Sequence, residues 1–261
     1  MKKIPLIALA LLAIGIAVLA AFWGGRKAGG PASITVYCAA NLKKPVEAVA
    51  EQYRQELGIE VRLQYGGTGA LLSQFQVTKK GDLFIAADDG SLNDARRLDC
   101  IREVLPLVVQ HPVIAVKKGN AAAVHSIADL MKPGIKLALP SPEAASIGKV
   151  TRKLLKTTWD ALATKALVMK PSVSEVAADV QLGAVDATFV WDSTIPQFKD
   201  LEAIEVPELT QHRENASAAV LSFSTQPAEA LKFARYLAAP DKGGVVFTKQ
   251  GFKTTPGDKW Q

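Results

Sequence analysis

The chain has 261 residues, 49% of them apolar, with 31 Lys and Arg against 25 Asp and Glu for a net charge of +6. That length allows one large domain or two smaller ones with real cores. The charges are interspersed, with no long basic run and no basic stripe carrying aromatics, which argues against nucleic acid as a partner. Two cysteines, Cys38 and Cys100, are too few for a disulfide framework or a metal site, and no bridge between them is expected.

At the N-terminus Lys2 and Lys3 precede an uncharged apolar run from Ile4 to Trp23, followed by Gly24-Gly25-Arg26-Lys27 and a Gly-rich stretch to Pro31. A basic start and an apolar core signal export. The run also approaches the ~20 residues that span a bilayer. Cleavage near Ala20-Ala21 and retention as an anchor both stay open, and no cysteine follows that could carry a lipid. Residues 1–32 therefore read as a signal peptide or membrane anchor plus linker. The folded part is expected to begin at Ser33, in the periplasm or otherwise outside the cytoplasmic membrane.

Ile34 to Cys38 is a compact apolar strand that leads into Ala39-Ala40-Asn41-Leu42. Pro45 opens a helix with Val46, Val49, Tyr53 and Leu57 on one face, and Gly58 ends it. Ile59, Val61, Leu63 and Tyr65 alternate with polar residues as in a half-buried strand. Gly66-Gly67-Thr68-Gly69 then turns the chain into a helix from Ala70 to about Lys79. Leu83 to Ala87 is a buried strand ending at Asp88-Asp89-Gly90, where capping of the next helix is the expected role of the acidic pair. This alternation implies a mainly parallel sheet flanked by helices.

A strand over 112–116 exits to a turn, and Ser126-Ile127-Ala128-Asp129 has the form of a capping box for a short helix stopped by Pro133-Gly134. A second α/β set follows. It comprises a strand over 135–139, a loop from Pro140 to Ser146, a helix over 147–155 with a cationic outer face, and a strand over 167–169. Pro171-Ser172-Val173 is a loop, Ser174 caps a helix that Gly183 ends, and 186–191 is a strand. A strand over 218–223 and a helix from Gln226-Pro227 to Leu237 remain. A chain that starts one lobe, builds a second and returns accounts for them. The expected division is lobe 1 over 33–113 and 214–261 and lobe 2 over 114–213, with two crossover segments between.

Enzymatic constellations are poorly supported. His111, His125 and His212 stand apart, without the spacing of a metal-ligand set, and there is no G-x-S-x-G elbow. Ile147-Gly148-Lys149-Val150 lacks the first glycine and the Ser/Thr of a phosphate loop. What remains is a group of donor-rich, nearly uncharged turns: Ala40-Asn41, Gly67-Thr68-Gly69, Ser146-Ile147 and Ser172-Val173. Backbone amides at helix starts, together with neutral hydroxyl or amide groups, suit a dehydrated anion. They also permit release, because no buried ion pair has to be broken.

The order of Val36-Tyr37-Cys38-Ala39-Ala40-Asn41-Leu42, Tyr65-Gly66-Gly67-Thr68-Gly69-Ala70-Leu71, Gly81-Asp82-Leu83-Phe84-Ile85-Ala86-Ala87-Asp88, Pro142-Glu143-Ala144-Ala145-Ser146-Ile147-Gly148 and Gly183-Ala184-Val185-Asp186-Ala187-Thr188-Phe189-Val190-Trp191-Asp192 resembles the periplasmic molybdate-binding protein family. That family lies within the two-lobed solute receptors of ABC transporters. The resemblance implies an α/β two-lobed periplasmic-binding-protein fold and no enzymatic activity or cofactor. It implies a monomer that binds molybdate, tungstate or a related oxyanion and docks on an ABC permease. It carries the oxyanion contacts onto Asn41 and Thr68 from the first lobe, Ile147 and Val173 from the second, and Trp191, with Ala40, Gly67, Gly69 and Ser146 supporting them. Asn41 stands where the family usually has a hydroxyl, and Trp191 where it has a tyrosine. A receptor for sulfate, a phosphonate or an organic anion, with Lys149 as the candidate cation, and a membrane-tethered sensor are the alternatives.

Overall fold

The computed structural model describes residues 33–119 and 124–261, so the export segment expected over 1–32 lies outside the described residues. Strand β1 (Ser33–Ala39) is buried along its second half, as its unbroken apolar run requires. The chain turns through Ala40–Leu42 into α1 (Lys43–Leu57), which buries Val46, Val49, Ala50 and Tyr53, and Gly58 closes it with φ +72°. Then come β2 (Glu60–Gly66), α2 (Thr68–Thr78), β3 (Leu83–Ala86), α3 (Asp89–Arg97) and β4 (Ile101–Gln110). Helix α3 is the helix expected after Asp88-Asp89, but its extent could not be read because its segment DGSLNDARR is mostly polar; only Ser91, Leu92 and Ala95 are buried.

After a single residue, His111, the chain enters a second group of elements. They are β5 (Pro112–Lys117), β6 (Ala138–Pro140), α4 (Ser146–Leu155), α5 (Thr157–Lys165), β7 (Val168–Lys170), α6 (Val173–Gln181), β8 (Ala187–Trp191), β9 (Leu201–Ile204) and the short α7 (Pro207–Thr210). It then returns through β10 (Glu214–Leu221), α8 (Pro227–Ala238), α9 (Gly243–Lys249) and β11 (Lys253–Thr254). Helix α6 is capped by Ser172, whose hydroxyl accepts from the Glu175 N–H, two residues before the expected cap at Ser174.

The first sheet has six strands in the order β11-β4-β10-β3-β1-β2. The parallel arrangement expected from the β-α-β alternation holds for β2, β1 and β3. Strand β10 runs antiparallel between β3 and β4, because it comes back from the second group, while β4 points the same way as β1, β2 and β3. In the second group β5 lies between β8 and β9, antiparallel to both, and β6 pairs with β7 in parallel. The buried apolar residues separate accordingly. Residues between 113 and 209 form one core, and residues from 34–108 and 216–252 form two others on the faces of the six-stranded sheet. Two lobes result, joined by the β4–β5 and β9–β10 connections. Cys38 and Cys100 are separate buried thiols, and burial pushes the Cys38 thiol well above the ordinary range.

At the end of β3, Asp88 caps α3 by accepting from the Ser91 N–H at 2.8 Å. Burial pushes its carboxyl up to about 6; the bonds from Ser91 offset this in part, and Glu214 adds to it. The folded carboxyl thus holds its proton more tightly than the unfolded one. Its contribution to stability is full below about pH 4 and is lost as the pH rises through about 6. Asp88→Asn keeps a carbonyl for the cap and removes the charge. Its free energy of unfolding, measured by denaturant titration, should exceed that of the parent by a margin that grows from about pH 4 to about pH 7, toward about 2–3 kcal/mol. A margin that stays flat across that range would contradict this role.

Candidate functional site

The parallel register sets Ala39 of β1 beside Gly66 of β2, so the turns that follow leave the same carboxyl edge of the first sheet. Opposite them lie the starts of α4, after Ala145, and of α6, after Ser172. Here the backbones of the two lobes touch. The Ala144 carbonyl accepts from the Gly69 N–H at 2.9 Å and from the Ala70 N–H at 3.2 Å. A Cβ placed on Gly67 would lie 2.1 Å from the Pro171 carbonyl oxygen and 2.4 Å from that of Ala144. Gly67 has φ −66°, a value open to any residue, so close approach is what demands a glycine. The α2 start, read in the sequence as an anion socket, thus gives two of its free amides to the second lobe.

The closed lobes leave a small cavity between them. Its volume is about 10 Å³. Ala40, Asn41, Gly67 and Thr68 line it from the first lobe, and Ala145, Ser146, Ile147 and Val173 from the second. None of the lining residues is charged. Eight of the nine candidate positions are therefore near this space, seven on its wall and Gly69 at the interlobe contact beside it. Thr68 is 1% exposed, and its hydroxyl has no partner. The Ile147 and Val173 amides lie in the first turns of α4 and α6, where helix geometry provides no acceptor, and no other described residue supplies one. Asn41 donates Nδ2 to Gln110 Oε1 at 3.0 Å, while its Oδ1 has no partner.

Trp191 stands elsewhere. It is the last residue of β8, opposite Pro112, and it is fully buried in the second-lobe core with its indole N–H unpartnered. It is not among the residues that line the cavity.

A second cavity of about 230 Å³ lies beyond the Ala145–Ser146 wall, lined in part by Asp94, Glu143, Lys149 and Arg152. Its cations are matched: Lys149 bridges to Asp94 across the lobes, and Arg152 lies 2.8 Å from Glu143. Sequence reasoning missed Ala144, whose carbonyl joins the lobes, and Gln110, which holds Asn41. Their parts arise from lobe placement, and no local pattern marks them. The backbone contact at Gly67 yields a prediction. Gly67→Ala should leave the unliganded fold intact but prevent full closure, lowering ligand affinity by at least about tenfold. Titration calorimetry with molybdate on the folded variant checks this, and an unchanged affinity would mean that closure does not require the contact.

Residues 34–253 match the model of a family described as bacterial extracellular solute-binding protein. A Haemophilus influenzae protein described as a binding protein is 28% identical over 224 residues, covering 85% of this chain and 91% of the relative. The molybdate-binding protein ModA of Mycobacterium tuberculosis is 26% identical over 233 residues, covering 85% of each chain. The solved periplasmic molybdate-binding protein of Azotobacter vinelandii shares the fold, with a TM-score of 0.71 at 17% identity over 85% of this chain and 100% of its own. The chain belongs to the bacterial extracellular solute-binding proteins, a family of receptors and not of enzymes.

Proposed function

We propose that the protein is the extracytoplasmic receptor of an ABC transporter and closes its lobes over a tetrahedral oxyanion, with molybdate or tungstate as the cargo. The observation that carries this reading is the small, uncharged interlobe cavity, with the unpartnered Thr68 hydroxyl and the unpaired amides of Ile147 and Val173 around it. Such donors replace the hydration of an anion without a counter-ion, and the α4 and α6 dipoles add positive potential at their starts. The relatives' printed molybdate-binding names support the choice of cargo. In this reading Thr68, Ile147, Val173 and the second Nδ2 hydrogen of Asn41 hold the anion, Ala40, Gly67, Gly69 and Ser146 shape the wall, and Trp191 packs in the second-lobe core. Lobe 1 is 33–113 with 214–261, lobe 2 is 114–213, and residues 1–32 deliver the chain across the membrane. The closed form then presents both lobes to a permease. An organic-anion receptor would want a free cation in the cleft, and Lys149, the candidate for that role, is committed to Asp94.

Titration calorimetry with molybdate, tungstate, sulfate and phosphate tests the proposal. Molybdate and tungstate should bind at one site per chain and more tightly than sulfate or phosphate. No heat and no thermal stabilisation with any of the four would overturn the proposal. Thr68→Ala should weaken molybdate binding by about 1–3 kcal/mol, the cost of one bond to a charged group, and unchanged affinity would place Thr68 outside the shell.

A further inference from the structure

Gln110 closes β4 at the point where the chain leaves the first lobe, and its side chain is fully buried. A carboxamide at such a place needs partners, and it finds three on three different elements. Its Nε2 donates to the Ala87 carbonyl at 2.7 Å, at the end of β3. Its Oε1 accepts from Asn41 Nδ2 at 3.0 Å, on the cavity wall, and from Ser193 Oγ at 2.7 Å, in the 3₁₀ turn (Asp192–Gln197) that follows β8 in the second lobe. The orientation is forced. A carbonyl can only accept, so the nitrogen of Gln110 must face Ala87, its oxygen must face Asn41 and Ser193, and Asn41 must turn its own nitrogen inward. A second glutamine completes the frame. Gln197 Nε2 donates to the main-chain carbonyl oxygens of Asn41 at 2.7 Å and of Ser193 at 3.0 Å.

We propose that Gln110 is a positioning residue for ligand binding: it fixes the Asn41 side chain on the cavity wall and ties it, through Ser193, to the closed position of the second lobe. Gln110 is not among the residues lining the cavity. Its effect on the ligand passes through Asn41, and this inference rests on the oxyanion reading above for the choice of probe. Loss of the Ser193 donor loosens the tie while Ala87 and Asn41 keep Gln110 in place. The closed form then opens more readily, with or without ligand, while the fold within each lobe is unchanged.

The test uses the full chain with molybdate. Ser193→Ala should raise Kd by about 5- to 10-fold through faster dissociation, the size of one lost hydrogen bond. Its association rate and ligand-free melting temperature should stay at parent values. Gln110→Met should cost more, and in an Asn41→Ala background its additional effect on Kd should largely vanish. Additive losses in that cycle, or a Ser193→Ala affinity equal to the parent's, would overturn the proposal. A ligand-free readout separates this from failure of the oxyanion reading. Spin labels at Val77 on the first lobe and Leu182 on the second, 83% and 78% exposed, report the interlobe distance. Ser193→Ala should shift that distribution toward longer distances even if the parent binds none of the oxyanions. An unshifted distribution would overturn the coupling.

Discussion

The structure depends on a backbone-to-backbone approach between lobes. Gly67 sits where a Cβ would collide with two carbonyl oxygens, and the Ala144 carbonyl reaches past it to the amides of Gly69 and Ala70. No side chain intervenes, so closure is set by main-chain positions that vary little once each lobe has folded. The contact also divides the α2 start between two tasks. Two amides hold the lobes together, while the Thr68 hydroxyl stays unpartnered at the cavity. A helix start usually read as a place for anions here serves first as a latch, and the space it encloses is correspondingly small.

Charge is kept out of that space and placed beside it. The cavity wall is neutral, whereas the neighbouring cleft carries Lys149 paired with Asp94 and Arg152 paired with Glu143. A buried counter-ion would attract an anion strongly, but it would have to be desolvated on its own whenever the site emptied. Neutral dipoles carry no such penalty, and helix starts orient them in advance. The Lys149–Asp94 bridge spans the lobes in a more exposed setting, where an ion pair contributes modestly and reversibly. Closure and ligand binding thus draw on different groups, with Gln110 and Ser193 linking them near the crossover.

Much of this was legible in the chain. The alternation of β2, the glycine turn and the helix after it could be read directly, because each rests on local periodicity and turn chemistry. Asn41, Thr68, Ile147 and Val173 followed from the starts of elements and from family resemblance, and the structure brings all four to one cavity. What could not be read depends on the meeting of distant segments. Helix α3 has too few apolar residues to declare a face, and the antiparallel entry of β10 follows from the return crossing. The capping hydroxyl of α6 is Ser172, although Ser174 also stands near the helix start. Trp191 matched a position in the motif order, yet the bulk of its indole lies in the second-lobe core. Nothing near Gln110 in sequence shows that its partners lie 23, 69 and 83 residues away.

The most direct measurement is anomalous diffraction from crystals grown with molybdate, recorded at the molybdenum edge. The neutral cavity predicts one strong peak per chain, within hydrogen-bonding reach of the Thr68 hydroxyl and the Ile147 and Val173 amides through the oxygens of the anion. A peak in the charged cleft beside Lys149 and Arg152, or no ordered molybdenum between the lobes, would contradict it.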